Sequence, residues 1–207
     1  MATVFPMSAA DHGEVVHLLA RAFADDPHFA GLIPADDAER RRRDFFGYVA
    51  VRANHSPETC DIAVDDQGRI IGVALWEHPD VVRPHQRPIG SALEQLATLP
   101  LLYRIFGDRL SDANRTQEAV DAARPAEAHW YLKIIGTDPQ ARGQGAGKAL
   151  LTHRLTEADR YRAPAYLESS TPDNLGWYER FGFRLRGEVP STGTVNTYGM
   201  WRPARAD

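Results

Sequence analysis

The segment WYLKIIGTDPQARGQGAGKALL, Trp130 to Leu151, constrains the fold more than any other stretch of the chain. An apolar run comes first and reads as a strand, Trp130–Thr137. Glycines then alternate at 143, 145 and 147. A helical pattern follows over Gly145–Arg160, with Leu150, Leu151 and Leu155 on one face. A helix N-terminus leaves N–H groups unpaired and carries roughly +0.5 of dipole charge. Glycine lets a backbone approach an anion closely, and Arg142 and Lys148 flank the turn. The expectation is a phosphate-binding loop. A Walker A loop is excluded, because position 142 is Arg and position 149 is Ala where Gly and Ser/Thr are needed. The dinucleotide pattern G-x-G-x-x-G fails too, with Lys148 or Leu150 in its sixth place.

The rest of the chain reads as an α/β protein. Thr3–Pro6 is a short strand, and Ser8 with Asp11 has capping-box spacing ahead of a helix. Val15, Leu18, Leu19, Ala22 and Phe23 form that helix's apolar face, and Pro27 is expected to end it. Asp36–Arg52 is a second helix, with Phe45, Phe46, Tyr48 and Val49 inward. Thr59–Val64 and Arg69–Trp76 are strands joined by a turn at Asp65–Gly68. From Pro79 to Glu127 the prolines at 79, 84, 88, 100 and 125 separate helical stretches at Ser91–Leu99, Leu101–Phe106 and Asp112–Ala123. These form an insertion within one domain spanning 1–207, since they lack a core of their own. Ala165–Glu168 is a strand, Pro172–Arg180 a short helix, and Phe183–Val189 with Thr194–Met200 an antiparallel pair. With 207 residues, the chain can bury roughly 70% of its unfolded surface without staples. A net charge of −4 gives no support to nucleic-acid binding. Arg40–Arg43 is interleaved with Asp36, Asp37, Glu39 and Asp44 and reads as a solvated helix face. Cys60 is the sole cysteine, so no internal disulfide forms and a small core residue is expected. Eight histidines show no metal-ligand spacing. Neither a signal peptide nor a membrane span is expected, and the predicted location is cytoplasmic.

The loop fits R-x-x-G-x-G from Arg142 through Gly145 to Gly147, and PAYLESSTPDNLGWYERFGF follows at Pro164–Phe183. In both segments the chain resembles the GNAT superfamily of N-acetyltransferases, with Asn174, Tyr178, Gly182 and Phe183 matching its N-x-x-x-Y-x-x-x-G-F pattern. The likeness covers His129–Glu188, is weaker over the first 78 residues and is absent from Pro79–Glu127. Within the superfamily it is similar to the puromycin-type acetyltransferases of actinobacteria, which often carry Gln or His where this chain has Arg142. The resemblance implies a mixed, mostly antiparallel sheet of about seven strands flanked by helices. Its central strands splay, and the helical insertion precedes the central one. It implies acetyl-coenzyme A as cofactor, held by Arg142, Gly143, Gln144, Gly145, Ala146, Gly147 and Lys148. Ile135, Gly136 and Thr137 of the strand would meet the pantetheine arm. A bulge is expected at Gly136, with an N–H of Ile135 or Gly136 at the thioester oxygen. Asn174 would hold the arm as well, and Tyr178 would protonate the leaving thiolate.

Acetyl transfer to an amine also needs a base. Glu168 is favoured; Glu77, His78, Glu127, His129 and a water chain are alternatives. Asp25, Asp26, Pro27, His28, Phe29 and Trp76 are expected on the acceptor side, with Leu102, Tyr103 and Phe106 of the insertion as a lid. Aromatic groups beside two carboxylates suit a small cationic amine with an apolar body, such as an aminonucleoside. The partner is then a small-molecule amine, and the chain a monomer or homodimer. The alternatives are a protein or peptide N-acetyltransferase and a non-catalytic acyl-CoA sensor.

Overall fold

In a computed structural model, which describes residues 2–53, 59–80 and 91–205, one seven-stranded sheet organises the chain. Its strands are β1 Thr3–Pro6, β2 Cys60–Val64, β3 Ile70–Glu77, β4 Trp130–Thr137, β5 Ala165–Ser169, β6 Arg184–Val189 and β7 Thr197–Arg202. Their order is β1-β2-β3-β4-β5-β7-β6, and only the β4–β5 pair is parallel. The parallel step needs a crossover, and helix α6 (Ala146–Arg160) supplies it. The other helices are α1 His12–Ala22, α2 Pro27–Leu32, α3 Ala38–Ala53, α4 Ser91–Phe106, α5 Leu110–Ala123 and α7 Leu175–Glu179.

Each sheet face carries its own core. On one side Val15, Leu18 and Leu19 of α1 and Phe46 of α3 pack with Val73, Leu75 and Ile134. On the other, Leu150, Leu151 and Leu155 of α6 and Tyr178 of α7 pack with Leu132, Leu167 and Met200. A buried ion pair joins α6 to β2: Arg154 donates to both carboxylate oxygens of Asp61 at 2.8 Å. The β2–β3 turn forms as expected. Asp65 Oδ1 accepts from the N–H groups of Gln67 and Arg69, and Gly68 takes φ +80°.

Three expectations are corrected. Pro27 does not merely end α1; it opens α2 as its first residue, the place where a missing N–H is harmless. Pro100 lies inside α4, so the stretches expected on either side of it are one helix. The expected lid is corrected too: Ile105, Phe106 and Ala113 of the insertion pack with Leu32 and Ile33 behind α2, in a cluster shared with the rest of the chain. Phe106 is therefore core and lines no lid. Pro84 and Pro88 of the insertion lie outside the described residues.

Candidate active site

The central feature is a notch in the sheet. β4 and β5 pair only through Trp130–Leu132 against Ala165–Leu167, while β4 runs on to Thr137 beside β3. From Lys133 onward the two strands part. The bulge sits at Lys133, because Leu75 faces Ile134 while Trp76 faces Leu132. That corrects the expected position, Gly136. The glycine has a different job. A Cβ there would stand 2.8 Å from Leu19 Cδ2 and 3.2 Å from Phe23, so its absence lets the end of α1 lie against the strand.

Alternation along β4 decides which amides face the notch. Asp138 N–H donates to Ile71 O on β3. Stepping back by two, Gly136 also turns its backbone toward β3, leaving the N–H groups of Ile135 and Thr137 on the open side. Of the two donors expected at the thioester oxygen, Ile135 is therefore the one exposed to the notch.

The glycine loop begins where β4 ends. Asp138 caps a short turn by accepting from Gln140 N–H at 2.9 Å, and Arg21 of α1 holds its other oxygen at 2.6 Å. Gly143 and Gly145 take φ +83° and +82°, a region that disfavours side chains, and a Cβ on either would meet nothing within 4 Å. The space in front of the loop is thus open. Helix α6 starts at Ala146, which is buried, and its first N–H groups point into that space. Gln144, Arg142 and Lys148 are exposed, and neither cation has an ion-pair partner among the described residues. A Cβ on Gly147 would sit 3.3 Å from Trp177, so this glycine lets α7 press against the first turn of α6. The contact brings the Asn174–Tyr178 segment beside the loop. Asn174 precedes α7, is exposed, and makes no side-chain cap bond. Tyr178 is buried with Trp177 and Phe183 around it, and burial alone pushes its hydroxyl well above the usual phenol range. It stays protonated at neutral pH.

Glu168 arrives from the opposite face. Leu167 belongs to the α6 side, so its neighbour Glu168 turns to the α1 side, as does Tyr166. Tyr131 of β4 donates to Glu168 Oε2 at 2.7 Å, and its ring stacks beside that of Tyr166. Glu168 Oε1 is buried and accepts no hydrogen bond from the described residues. Burial pushes the carboxyl up to about 7, with the two tyrosine hydroxyls and Arg124 pulling partly the other way. Arg124, just past the end of α5, lies 3.7 Å over the Tyr131 ring and pairs with Glu77 at 3.0 Å. Glu77 also meets Lys133 at 3.4 Å, and these two cations outweigh burial to hold its carboxyl below the usual range. No spacing in the sequence marks Arg124 or Tyr131 as part of this group.

The acceptor-side expectations fare unevenly. Asp26 Oδ1 caps α2 through His28 and Phe29 N–H, and its Oδ2 accepts from Ser170. It ties α2 to the end of β5 through three hydrogen bonds. His28 Nδ1 lies 3.2 Å from Val195 O, and burial lowers its pKa. The Phe29 ring, half-buried, contacts Phe23, Phe45 and Phe46 at the edge of the core. Trp76 is only 2% exposed and packs on the α6 face with Trp130, away from Glu168. Tyr103 is 65% exposed on α4 and does not line the cavity at the end of β5. A cavity of about 470 Å³ does open at the end of β5, between Pro27, Ser170, Glu188, Val195 and Tyr198. No described helix is long and apolar enough to cross a membrane, and no cluster of metal-ligating side chains occurs among the described residues.

Residues 111–185 match the acetyltransferase (GNAT) domain family. A Corynebacterium glutamicum protein, described as histone acetyltransferase HPA2 and related acetyltransferase, is 31% identical. The match spans 100% of this chain and 98% of that one, with a TM-score of 0.75. An uncharacterized N-acetyltransferase of Schizosaccharomyces pombe is 25% identical over 86% of this chain and 72% of its own. The Drosophila melanogaster polyamine N-acetyltransferase shares the fold at a TM-score of 0.61 and 16% identity, over 97% and 98% of the two chains. The chain belongs to the GNAT acetyltransferases, and it is an N-acetyltransferase.

Proposed function

We propose that the protein transfers the acetyl group of acetyl-coenzyme A to a primary amine of a small molecule by direct attack in a ternary complex. The observation that carries this reading is the notch between β4 and β5, with an open glycine loop at its mouth. The loop fits a pyrophosphate: the two left-handed glycines leave its front clear, α6 offers unpaired N–H groups, and Arg142 and Lys148 are uncommitted. Along the notch, the outward amides of Ile135 and Thr137 and the side chain of Asn174 suit an amide-rich pantetheine arm. Acetyl-coenzyme A supplies the acetyl group as a thioester and departs as a thiol.

The chain's own groups supply the remaining chemistry. Ile135 N–H donates to the thioester oxygen, where negative charge grows during attack. Glu168 takes the amine's proton through its unpartnered Oε1; a base poised near neutral pH suits that task. Tyr178, protonated and on the α7 side, gives its proton to the thiolate. Base and acid thus flank the notch from opposite faces of the sheet.

A small acceptor is favoured by the closed wall beside the cavity. Thr194 Oγ donates to His28 O at 2.7 Å, and Gly31 has no Cβ because Thr194 occupies that space. The β6–β7 loop is thereby pinned on α2, where a peptide would need an open groove. The cavity's volume is that of a small-molecule pocket. Asp26 caps α2 and binds Ser170, so in this reading it acts on an acceptor through its charge and not as a free hydrogen-bonding arm.

The test is release of free thiol from acetyl-coenzyme A across a panel of primary amines and peptides. The proposal expects release with at least one small amine, and loss of turnover with intact coenzyme affinity in Tyr178→Phe. Release with peptides alone would overturn the acceptor class.

A further inference from the structure

The α4–α5 insertion is expected from sequence to be a lid, yet its helices pack behind α2 and α3. What it brings to the site is Arg124, the residue that caps the C-terminus of α5. Arg124 follows the last turn of α5, where its N–H still donates to Val120 O at 3.2 Å. Its side chain is 8% exposed. One face of the guanidinium covers the Tyr131 ring, and Nη1 pairs with Glu77. Tyr131, 7% exposed, in turn donates to Glu168. An unbroken chain of contacts therefore runs from α5 and β3 to the carboxylate at the notch.

We propose that Arg124 and Tyr131 are a positioning pair through which the insertion orients Glu168 and keeps it able to ionise in a buried place. This inference rests on the reading of Glu168 as the base. The physical reason is the direction of both contacts. A hydroxyl that donates to a carboxylate, and a cation held near it, each favour the ionised form. Without them a buried carboxyl would keep its proton through the working pH range and could not accept another. The planar Arg124 fork holds Glu77 while its face holds the ring, so it fixes Tyr131 in the rotamer that reaches Glu168. The other charged and titratable groups around Glu168 are Tyr166 on β5, Asp121 on α5, Glu77 on β3, Lys133 on β4 and, beside Tyr166, Arg186 on β6. Asp121 opposes ionisation, and the Tyr166 hydroxyl favours it alongside Tyr131, whose bond to Oε2 is the 2.7 Å contact.

The experiment is an infrared titration of the protein alone, in which the protonated carboxyl band that vanishes in Glu168→Gln is followed against pH. The pair predicts that Tyr131→Phe raises the midpoint by about one pH unit, a roughly ten-fold gain in proton affinity. Arg124→Met raises it as well, whereas Arg124→Lys, which keeps the charge, stays closer to the wild type. In turnover, Tyr131→Phe moves the acidic limb of the kcat/KM profile upward by the same amount and leaves the KM for acetyl-coenzyme A unchanged. An unmoved midpoint in folded Tyr131→Phe overturns the proposal, even if Arg124→Met fails to fold. The titration needs neither donor nor acceptor. A shifted midpoint without acetyl transfer would therefore sink the proposed function and spare the pair, and transfer with an unmoved midpoint would do the reverse.

Discussion

Replacing Glu168 by Gln should make the protein more stable and less active, and the stability gain should appear only as pH rises. Folding moves this carboxyl from its ordinary 4.5 to about 7, mainly by removing it from water. At about 1.4 kcal/mol per pH unit, that difference amounts to about 3 kcal/mol. The sign follows from proton counts. Between pH 4.5 and 7 the folded protein holds a proton at Glu168 that the unfolded chain has released, so stability falls with rising pH through this window. Below pH 4.5 both states are protonated and no penalty exists. Above pH 7 both are ionised and the whole penalty is present. Glutamine has the same shape and can still accept from Tyr131, but it carries no charge to desolvate. Urea unfolding of both proteins from pH 4.5 to 8 measures the effect, and subtraction removes every other titrating group. The gap should widen to about 3 kcal/mol at pH 8, or about 6–12 °C in Tm for a chain of this size. A gap independent of pH, or a less stable Glu168→Gln at pH 8, would refute the argument. The expected trade of stability for activity is common where a site stores an unfavourable group.

Three further outcomes follow from the geometry. Arg154→Met leaves Asp61, 1% exposed, without its main partner and should destabilise by about 3–5 kcal/mol in urea unfolding; adding Asp61→Val should recover most of that loss. Arg142→Ala should weaken acetyl-coenzyme A binding by about ten-fold in calorimetry, the value of one charge-assisted contact, and leave Tm unchanged because Arg142 is exposed. Tyr178→Phe should reduce turnover by about a hundred-fold or more with coenzyme affinity intact, as removal of a general acid does.

The strand, glycine loop and helix proposed to hold the coenzyme were legible as structure because their signals are local. A glycine loop after a strand, and Asn174 four residues before Tyr178, each occupy one turn of chain. The acceptor half depends on which side of the sheet a residue faces, and there local pattern fails. β3 reads IIGVALWE, apolar on both faces, so alternation could not tell that Trp76 faces α6. The bulge was assigned to Gly136 on the residue's freedom, but close approach of α1 is what requires glycine there, and the register shift falls at Lys133. Asp26 resembles a binding carboxylate in sequence because a proline signals a helix stop and a helix start alike, and Pro27 here is a start. Arg124 lay beyond any motif, since it reaches Glu168 through tertiary contacts with Tyr131 and Glu77.

The most direct test of the account is a calorimetric titration with acetyl-coenzyme A, followed by thiol release on adding primary amines. Micromolar binding that Arg142→Ala weakens, with release that depends on the amine, is the result predicted here. No binding, or binding indifferent to Arg142 with no release from any amine, would contradict it.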